Sequence, residues 1–256
     1  MQIDRPRLAD LAKHAKVSIA TASRVINQKP GVAERTRRSV YTSAAELGIE
    51  IPGLETSKQP VAILTPELNN PSFPAFAQNI DTLLAANNRP SILCPAGPEG
   101  TTEAQHVQML LQMNISGAIA VSGMPADTLS SVAPYELLIN SGVPVVFINS
   151  YSSDLAATFY STSDEEGVKA AIAHLSSLGH QKIGLAIGSI RYLPSQRKRE
   201  AFHNAGFEAA SVSTTDYTVE GGQLAANKLI AAGHTAIICG SDMMALGAIR
   251  ASNALG

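Results

Sequence analysis

Residues 8–27 read LADLAKHAKVSIATASRVIN, which is the pattern of two short helices joined by a tight turn. Small and apolar residues recur in this stretch at helical spacing, which predicts a first helix over residues 8–14. A second helix is predicted over residues 19–27, because Ser18 has a side chain that caps helix N-termini. Two helices in this arrangement predict a helix-turn-helix.

The residues that follow complete a small helical domain. A third helix is predicted from about Ala33 to just before Gly48, and its Val40 and Ala44 share one apolar face. Three short helices with such faces can enclose a small core. We therefore expect an all-α domain over residues 1–50.

The second helix carries side chains that suit the major groove of DNA. In a helix-turn-helix, this helix enters the groove and its N-terminal part faces the bases. Arg24 can form a bidentate contact with guanine, while Ile19 and Ala20 offer apolar contact, for example to a thymine methyl group. Hydroxyl, amide and guanidinium groups can bond phosphates, which orients the protein without reading sequence. The predicted phosphate contacts are Ser18, Thr21, Ser23, Asn27, Thr36 and Arg37.

The charge distribution supports a polyanionic partner for this domain. Residues 1–58 hold ten basic and six acidic residues, a net charge of +4, whereas residues 59–256 hold nine and fifteen, a net charge of −6. This asymmetry favours contact between the N-terminal part and nucleic acid. No apolar run approaches the roughly eighteen residues of a membrane span, and the start lacks the apolar core of a signal peptide. We therefore expect a cytoplasmic protein.

Beyond a linker, short apolar runs alternate with amphipathic stretches. The polar, proline-bounded segment Pro52–Pro60 indicates a linker, which we place at residues 51–60. Strands that alternate with helices predict βαβ units and a parallel sheet in residues 61–256. The predicted strands are residues 61–64, 92–93, 118–121, 145–148, 183–187 and 236–238.

Several polar residues between positions 61 and 256 can be interpreted either as structural residues or as metal-binding or catalytic residues. His180 and His234 follow glycines at predicted helix-to-strand turns, so we expect turn residues rather than metal ligands. Residues 164–166 are Asp-Glu-Glu, a possible carboxylate pair, but acidic residues also favour a helix N-terminus. Cys94 and Cys239 are expected to be reduced core thiols. The sequence shows no nucleotide-binding, hydrolase or close metal-ligand motif, so we expect no enzyme, cofactor or metal.

The N-terminal residues resemble the signature of LacI/GalR-family repressors. The resemblance runs through residues 8–27, is densest from Ser23 to Asn27, and continues at Val32, at residues 36–37 and at residues 46–48. Lys16 departs from the family, which usually has glycine in the turn. A side chain in a left-handed conformation costs on the order of 1 kcal/mol, which a fold can tolerate.

The resemblance also implies a hinge helix after the third helix. In the family an Ala-Arg-x-Leu pattern occupies this region, and its leucine wedges into the minor groove when two subunits pair. This chain has only Gly53–Ser57 there, within a shorter linker. Leu54 is the candidate wedge, and an ordinary linker leucine is the alternative.

From about Val61 onward, the chain resembles the effector-binding part of the same family. Residues 68–73, 142–146, 178–180 and 241–247 carry this resemblance. It implies two α/β subdomains like those of periplasmic sugar-binding proteins, with an effector held at the carboxyl ends of their strands. The implied effector-binding residues are Phe73, Asn149, Lys198, Tyr217, Ser241 and Asp242. A ring with amide, hydroxyl and carboxylate groups suits a neutral sugar or related polyol.

Three of these positions leave alternatives open. Phe73 is also a candidate core residue, and Asp242 is also a candidate N-cap of the last helix. Lys198 stands where the family has a ligand-gripping arginine, although Arg197 and Arg199 flank it. Because a lysine cannot supply the planar fork of an arginine, we expect an effector that is unusual for the family.

The chain ends at residue 256, close to the helix predicted to begin near Asp242, whereas family members continue. We therefore expect an incomplete second subdomain, with impaired effector binding and dimer stability. The sequence is interpreted as a sequence-specific DNA-binding transcriptional regulator, a repressor that binds operator DNA as a homodimer and responds to a sugar-like effector. The alternative is a solute-binding protein without a DNA-binding role, which predicts a signal peptide and no basic helical domain.

Overall fold

The computed structural model describes residues 8–27, 29–49, 59–97 and 100–255. The chain divides into two compact units, Met1–Lys58 and Gln59–Gly256, which we call the head and the body. Leu54, the candidate wedge, and most of the predicted linker lie outside the described residues.

Three helices form the described part of the head: α1 (Leu8–His14), α2 (Ile19–Ile26) and α3 (Glu34–Glu46). Their positions confirm the three predicted helices. Ser18 caps α2, because its Oγ accepts a hydrogen bond from the Thr21 N–H at 3.1 Å. Leu11, Val25 and Val40, one from each helix, are fully buried. The head therefore closes its core with one large apolar side chain per helix.

The turn between α1 and α2 contains a left-handed residue that is not glycine. Lys16 has a φ of 54°. The next N–H, that of Val17, donates to the Ala12 carbonyl at 2.9 Å, and the Val17 side chain packs against the core of the head. A non-glycine residue in this conformation is strained, so the head accepts a small conformational cost at this turn.

Two parallel sheets organise the described residues of the body. The strands are β1 (Val61–Thr65), β2 (Ser91–Pro95), β3 (Gly117–Val121), β4 (Val145–Ile148), β5 (Thr158–Tyr160), β6 (Ile183–Ile187), β7 (Val212–Thr214) and β8 (Ala236–Cys239). The helices are α4 (Ser72–Ala86), α5 (Glu103–Gln112), α6 (Ala133–Asn140), α7 (Asp164–Ser177), α8 (Leu193–Asn204), α9 (Val219–Ala231) and α10 (Asp242–Leu255). Within the described residues, the strand orders are β2-β1-β3-β4-β5 and β7-β6-β8, and all pairings are parallel. We call residues 59–160 the first lobe and residues 161–255 the second lobe.

This topology confirms the predicted parallel α/β fold and six of its strands, whereas β5 and β7 have no counterpart in the prediction. Both have three residues and lie at sheet edges, so they show little apolar periodicity. Pairing of β5 with β4 places Phe147 beside Phe159, with ring centroids 5.0 Å apart and stacked. The formation of strand β5 therefore depends on its pairing with β4 rather than on a local sequence pattern.

Each lobe has its own apolar core. In the first lobe, the buried rings of Tyr135 and Phe147 meet edge to face at a centroid distance of 4.9 Å. In the second lobe, Phe202 stacks on Phe207 at 4.4 Å, beneath strand β6, whose residues are all buried. The two cysteines are free thiols, one buried and one half-buried, as predicted.

Tight turns return the chain from helix to strand in the second lobe. The glycines before His180 and His234 have φ values of 89° and 84°, which confirms the predicted left-handed turns. The His180 ring bonds the Thr235 hydroxyl at 3.0 Å, and the His234 ring bonds the Leu229 carbonyl at 2.9 Å. The His234 ring therefore bonds the helix before its own turn, and the His180 ring connects its turn to the one that contains Thr235.

Candidate functional site

The first turn of α2 presents apolar side chains beside hydroxyl groups. Ile19 is 55% exposed, and Ala20 is exposed as well, so both predicted base contacts are accessible. The hydroxyl oxygens of Ser18 and Thr21 lie 2.8 Å apart and bond each other. Because only one of the two O–H groups donates in this bond, the other is available to an acceptor such as a phosphate.

Arg24 lies in the last turn of α2 and is bonded to the loop that follows. Its Nη2 donates to the Pro30 carbonyl at 2.6 Å. Arg37 of α3 donates to the Lys29 carbonyl at 3.2 Å and to the Tyr41 hydroxyl at 3.4 Å. Two guanidinium groups thus hold neighbouring carbonyls of the loop between α2 and α3. A guanidinium has more N–H donors than these bonds use, so both arginines keep N–H donors for a further acceptor.

Of the other predicted phosphate contacts, Asn27 is exposed and Ser23 is half-buried. The Asn27 Nδ2 donates to the Ser23 carbonyl at 2.9 Å and lies 3.4 Å from the Ser23 Oγ. Thr36 is half-buried in the first turn of α3. A phosphate contact from Asn27 therefore has to displace a bond within the head, which the sequence alone does not reveal.

A cavity of about 640 Å³ lies in the body, at the carboxyl ends of strands from both lobes. Ligands of parallel α/β proteins bind in this location. The lining includes these predicted effector-binding residues: Phe73, Asn149, Lys198, Tyr217 and Ser241. Asp242 is not among the lining residues: it begins α10 and is exposed. The alternative role of N-cap is also wrong, because Asp242 is the first residue of α10 and the Ser241 Oγ accepts the capping hydrogen bond from the Met244 N–H at 3.3 Å.

Two cavity residues of the first lobe have left-handed backbones. Ser122 follows β3 with a φ of 59°, and Asn149 follows β4 with a φ of 56°. The Ser122 N–H donates to the Ile148 carbonyl at 2.7 Å, and the Asn149 N–H donates to the Tyr160 carbonyl at 2.8 Å. Neighbouring strands therefore hold both bends in place. Strained non-glycine residues of this kind cluster at functional sites.

Glu103 is a half-buried acidic residue in the cavity wall that the sequence did not single out. It accepts hydrogen bonds from the Tyr135 hydroxyl at 2.5 Å and from the Met124 N–H at 2.8 Å. Burial raises its pKa, and these hydrogen bonds, which act to lower the pKa, do not compensate. A Cβ at Gly123, which has a φ of 75°, would lie 2.3 Å from the carboxylate. The absence of a side chain at Gly123 therefore leaves room for the Glu103 carboxylate, which bonds the first residue of the short 3-10 helix Met124–Ala126.

The ring of Tyr217 packs against the ends of β6 and β8. A Cβ at Gly188 would lie 2.2 Å from the ring, and one at Gly240 would lie 3.2 Å from it, so these glycines make room for the tyrosine. The Tyr217 hydroxyl lies 2.7 Å from the Ser195 Oγ and bonds it. Burial raises the pKa of Tyr217, so the phenol is neutral at pH 7. A neutral aromatic ring thus lines the cavity.

Lys198 is paired with a carboxylate inside the cavity wall. Its Nζ donates to the Asp164 Oδ1, and the two side chains are only 21% and 11% exposed. Asp164 begins α7 directly after its N-cap, Ser163. The acidic run at residues 164–166 therefore occupies a helix N-terminus, as predicted. The charge of Lys198 is balanced by the protein itself before any ligand binds.

Carboxylates outnumber cations in the cavity lining. The carboxylates are Glu67, Glu103, Asp127, Asp164 and Asp216, and the cations are Arg197 and Lys198. Like charges repel most strongly where water is scarce, so this lining disfavours an anionic ligand. Within the described ranges, no cluster of three or more His, Cys, Asp or Glu residues could hold a metal ion. The described helices are all too short or too polar to cross a membrane.

Two family profiles match the chain, one for each unit. The profile described as "Bacterial regulatory proteins, lacI family" matches residues 7–49. The profile described as "Periplasmic binding proteins and sugar binding domain of LacI family" matches residues 58–256. A helix-turn-helix followed by such a body defines a class of DNA-binding transcriptional regulators. This chain belongs to the LacI family, as its sequence suggested, and the match of the head overturns the alternative of a solute-binding protein without a DNA-binding role.

Similar proteins cover nearly the whole chain. The HTH-type transcriptional regulator reg1 of Streptomyces lividans is 45% identical over 98% of this chain and 76% of its own length. The regulator MalR of Streptomyces coelicolor is also 45% identical, with the same coverage. The structure of the lac repressor dimer bound to operator and the anti-inducer ONPF has a TM-score of 0.66 at 24% identity, covering 99% of this chain and 79% of that one. The role of the family is transcriptional regulation.

Proposed function

We propose that this regulator is a repressor that binds operator DNA as a homodimer through its head and responds to a neutral, sugar-like effector in its body. The cavity carries the proposal, because it combines aromatic rings, hydroxyl groups and an amide with a lysine that is already paired. We assign DNA binding to residues 1–50 and effector binding to residues 61–256, with residues 51–60 as the linker. The site of action is the cytoplasm, where bacterial DNA lies.

The accessibility of α2 supports the DNA-binding role of the head. Ile19 and Ala20 contact bases through the exposed first turn, and Ser18 and Thr21 bond phosphates through the O–H that their mutual bond leaves available. Arg24 reaches a guanine from the last turn with the donors that the Pro30 carbonyl does not use.

A two-fold symmetric operator is expected for a regulator of this kind. Dimers of helix-turn-helix proteins bind half-sites about 34–36 Å apart, so that their two recognition helices enter successive major grooves on one side of the duplex. The similar lac repressor structure is a dimer bound to its operator. We therefore propose that two copies of this chain bind a pseudo-palindromic site.

The cavity chemistry favours an uncharged effector. The half-buried Phe73 and Tyr217 offer ring surfaces on which sugars stack, while Asn149 and Ser241 offer hydrogen-bonding groups. Because Lys198 is bonded to a carboxylate, it is not free to balance a phosphate. One structurally similar regulator, CelR, was solved with cellobiose, whereas Cra of Pseudomonas putida was solved with fructose 1-phosphate. We place the effector of this chain in the neutral class.

Selection of a DNA duplex, followed by binding measurements, tests the role of the head. The variant Arg24→Ala should lose about 1–3 kcal/mol of discrimination at one base pair of each half-site, the size of a bidentate arginine contact with guanine. Arg250→Ala, an exposed arginine of α10 in the body, is the matched control and should keep the preference. An unchanged preference in Arg24→Ala would remove the base-reading role from this residue.

Thermal-shift titration tests the class of effector. Ribose, cellobiose and maltose form the neutral set, and fructose 1-phosphate is the anionic comparison. A saturable rise in Tm is expected with at least one neutral sugar and none with fructose 1-phosphate, and such a rise would contradict the impairment of effector binding predicted from the sequence. The variant Tyr217→Ala should abolish that response, because it removes the ring from the cavity. A response to fructose 1-phosphate alone would contradict the neutral class.

A further inference from the structure

Two segments from different lobes, each following a strand, meet at the rim of the cavity. Residues 124–130 follow β3 in the first lobe, and residues 189–196 follow β6 in the second lobe. Asp127 and Tyr192, one from each segment, line the cavity and pair as an isolated antiparallel bridge. The two lobes therefore touch at the edge of the cavity itself.

An arginine and an aspartate form the charged part of this contact. Arg191 donates from Nε to the Asp127 Oδ1 at 2.9 Å and from Nη2 to the Asp127 Oδ2. Two parallel bonds of this kind are the geometry in which a guanidinium and a carboxylate interact most strongly. The Asp127 side chain is 11% exposed and that of Arg191 is 44% exposed. The carboxylate is thus shielded from water, while the guanidinium covers it from the outside.

The first lobe holds the Asp127 carboxylate in position for Arg191. Its oxygens also accept hydrogen bonds from the Leu129 N–H at 3.1 Å and the Ser130 hydroxyl at 2.8 Å. Burial acts to raise the pKa of Asp127, but the hydrogen bonds from Arg191, Ser130 and Leu129 outweigh it and lower the pKa. The carboxylate is therefore ionised at neutral pH and already oriented by its own lobe.

Uncharged contacts reinforce the same junction. The Arg191 carbonyl accepts hydrogen bonds from the Thr128 N–H at 2.9 Å and the Thr128 hydroxyl at 2.8 Å. The Gln196 Nε2 donates to the Thr128 Oγ1 at 3.3 Å. Arg191 therefore reaches the first lobe with both its side chain and its main chain.

We infer that Arg191 is a positioning residue whose bond to Asp127 latches the two lobes together at the cavity rim and shifts the body toward its closed arrangement. The inference rests on the proposed function insofar as the cavity takes an effector. A contact that exists only when the lobes are close stabilises that arrangement by its own free energy. Because Asp127 and Tyr192 line the cavity, opening the latch moves two parts of its wall apart.

Hydrogen exchange of the ligand-free full chain tests the latch. Arg191→Gln and Asp127→Asn should each speed amide exchange in residues 124–130 and 189–196 by about threefold, the size expected for a partly exposed ion pair. The double variant should exchange no faster than either single variant, because both substitutions break one contact. Arg250→Gln, which removes the same charge elsewhere in the second lobe, is the control and should leave these segments unchanged.

The effect of salt on amide exchange distinguishes loss of the Arg191–Asp127 bond from a general loss of structure. In the wild type, about 1 M NaCl should speed exchange in the two segments, since it screens the partly exposed pair, and it should have no such effect in Arg191→Gln. Unchanged exchange in the single variants, additive effects in the double variant, or faster exchange throughout the buried strand β6 would each overturn the latch. No effector is used, so failure of the latch is distinct from failure of the neutral-sugar proposal.

Discussion

The head and the body use their positive charges in opposite ways. In the head, Arg24 and Arg37 are bonded to uncharged carbonyl groups, so their charge is not cancelled. In the body, Lys198 and Arg191 are each bonded to an aspartate. A surface that meets phosphates needs cations that remain electrostatically active, whereas a cavity for a neutral ligand needs its cations balanced. On the proposed function, the same residue types serve different partners because of what the fold places beside them.

The largest expected difference between the two units is their response to salt. Between about 50 and 200 mM NaCl, operator binding should weaken by roughly a thousandfold if the dimer makes about six phosphate contacts, because counterions are released from the DNA. Binding of a neutral sugar in the body should change by less than about twofold over this range, because an uncharged ligand forms no ion pair that salt can screen. Fluorescence anisotropy and titration calorimetry measure the two affinities. An operator complex that is insensitive to salt would show that the cations of the head are not used for DNA.

The second largest expected effect is a loss of stability of the body when Lys198 loses its carboxylate partner. Asp164→Asn should lower the free energy of unfolding of the body by about 1–3 kcal/mol, because it leaves Lys198 half-buried without its partner. Glu165→Gln is the matched control one residue away. The pair of Glu165 with Lys169 is more than half exposed on both sides, so its loss should cost about 0.5 kcal/mol or less. Urea denaturation measures both values, and equal losses would mean that Lys198 does not depend on Asp164.

A smaller and pH-dependent effect distinguishes two carboxylates of the cavity wall. Glu103 has a raised pKa, so its contribution to stability is present below its ordinary value of 4.5 and is lost as the pH rises through the folded pKa. Asp127 has a lowered pKa, so its contribution is present above 3.8 and is lost as the pH falls through the folded pKa. Carboxyl NMR titration should place the two midpoints on opposite sides of this range. Glu103→Gln should remove only the titration with the higher midpoint, and Asp127→Asn should remove only the one with the lower midpoint. A midpoint shared by the two carboxyl groups would contradict both assignments.

The smallest expected effect lies in the turn of the head. Lys16→Gly should raise the stability of the head by no more than about 0.5 kcal/mol, because relief of the left-handed strain is partly offset by the greater freedom of glycine in the unfolded chain. Lys13→Gly removes the same charge from within α1 and should instead destabilise by about 1 kcal/mol. Thermal unfolding compares the two variants. Equal destabilisation would mean that the conformation of Lys16 carries no strain.

Much of the fold follows from patterns that are local in sequence. The helices of the head and the Ser18 cap were predicted because each depends on the few residues around it. The cavity residues Phe73 and Tyr217 were predicted from the resemblance to the family, and the structure places both in the lining. Further assignments of residue roles in the two sites stay predictions.

The sequence did not predict features that depend on contacts between distant parts of the chain. Glu103 has the sequence context of an ordinary first-turn acid, next to the Thr102 cap, and only the structure shows its hydrogen bond with the buried Tyr135. The three-residue strand β5 is likewise defined by its pairing with β4. Neither property leaves a periodic signal, because each depends on one long-range contact.

By itself, the sequence determined the class of this protein: three short helices with a capped recognition helix, followed by alternating strands and helices. Periodicity and capping involve neighbours within a turn or two of chain, so they are visible without a structure. Only the tertiary structure decided which charges are free and which are balanced. Asp127 meets Arg191 across two lobes, Asp164 meets Lys198 across two helices, and Arg24 meets a carbonyl of the following loop. The electrostatic effect of a charged group depends on the atoms within a few ångströms of it, and the fold determines which atoms those are.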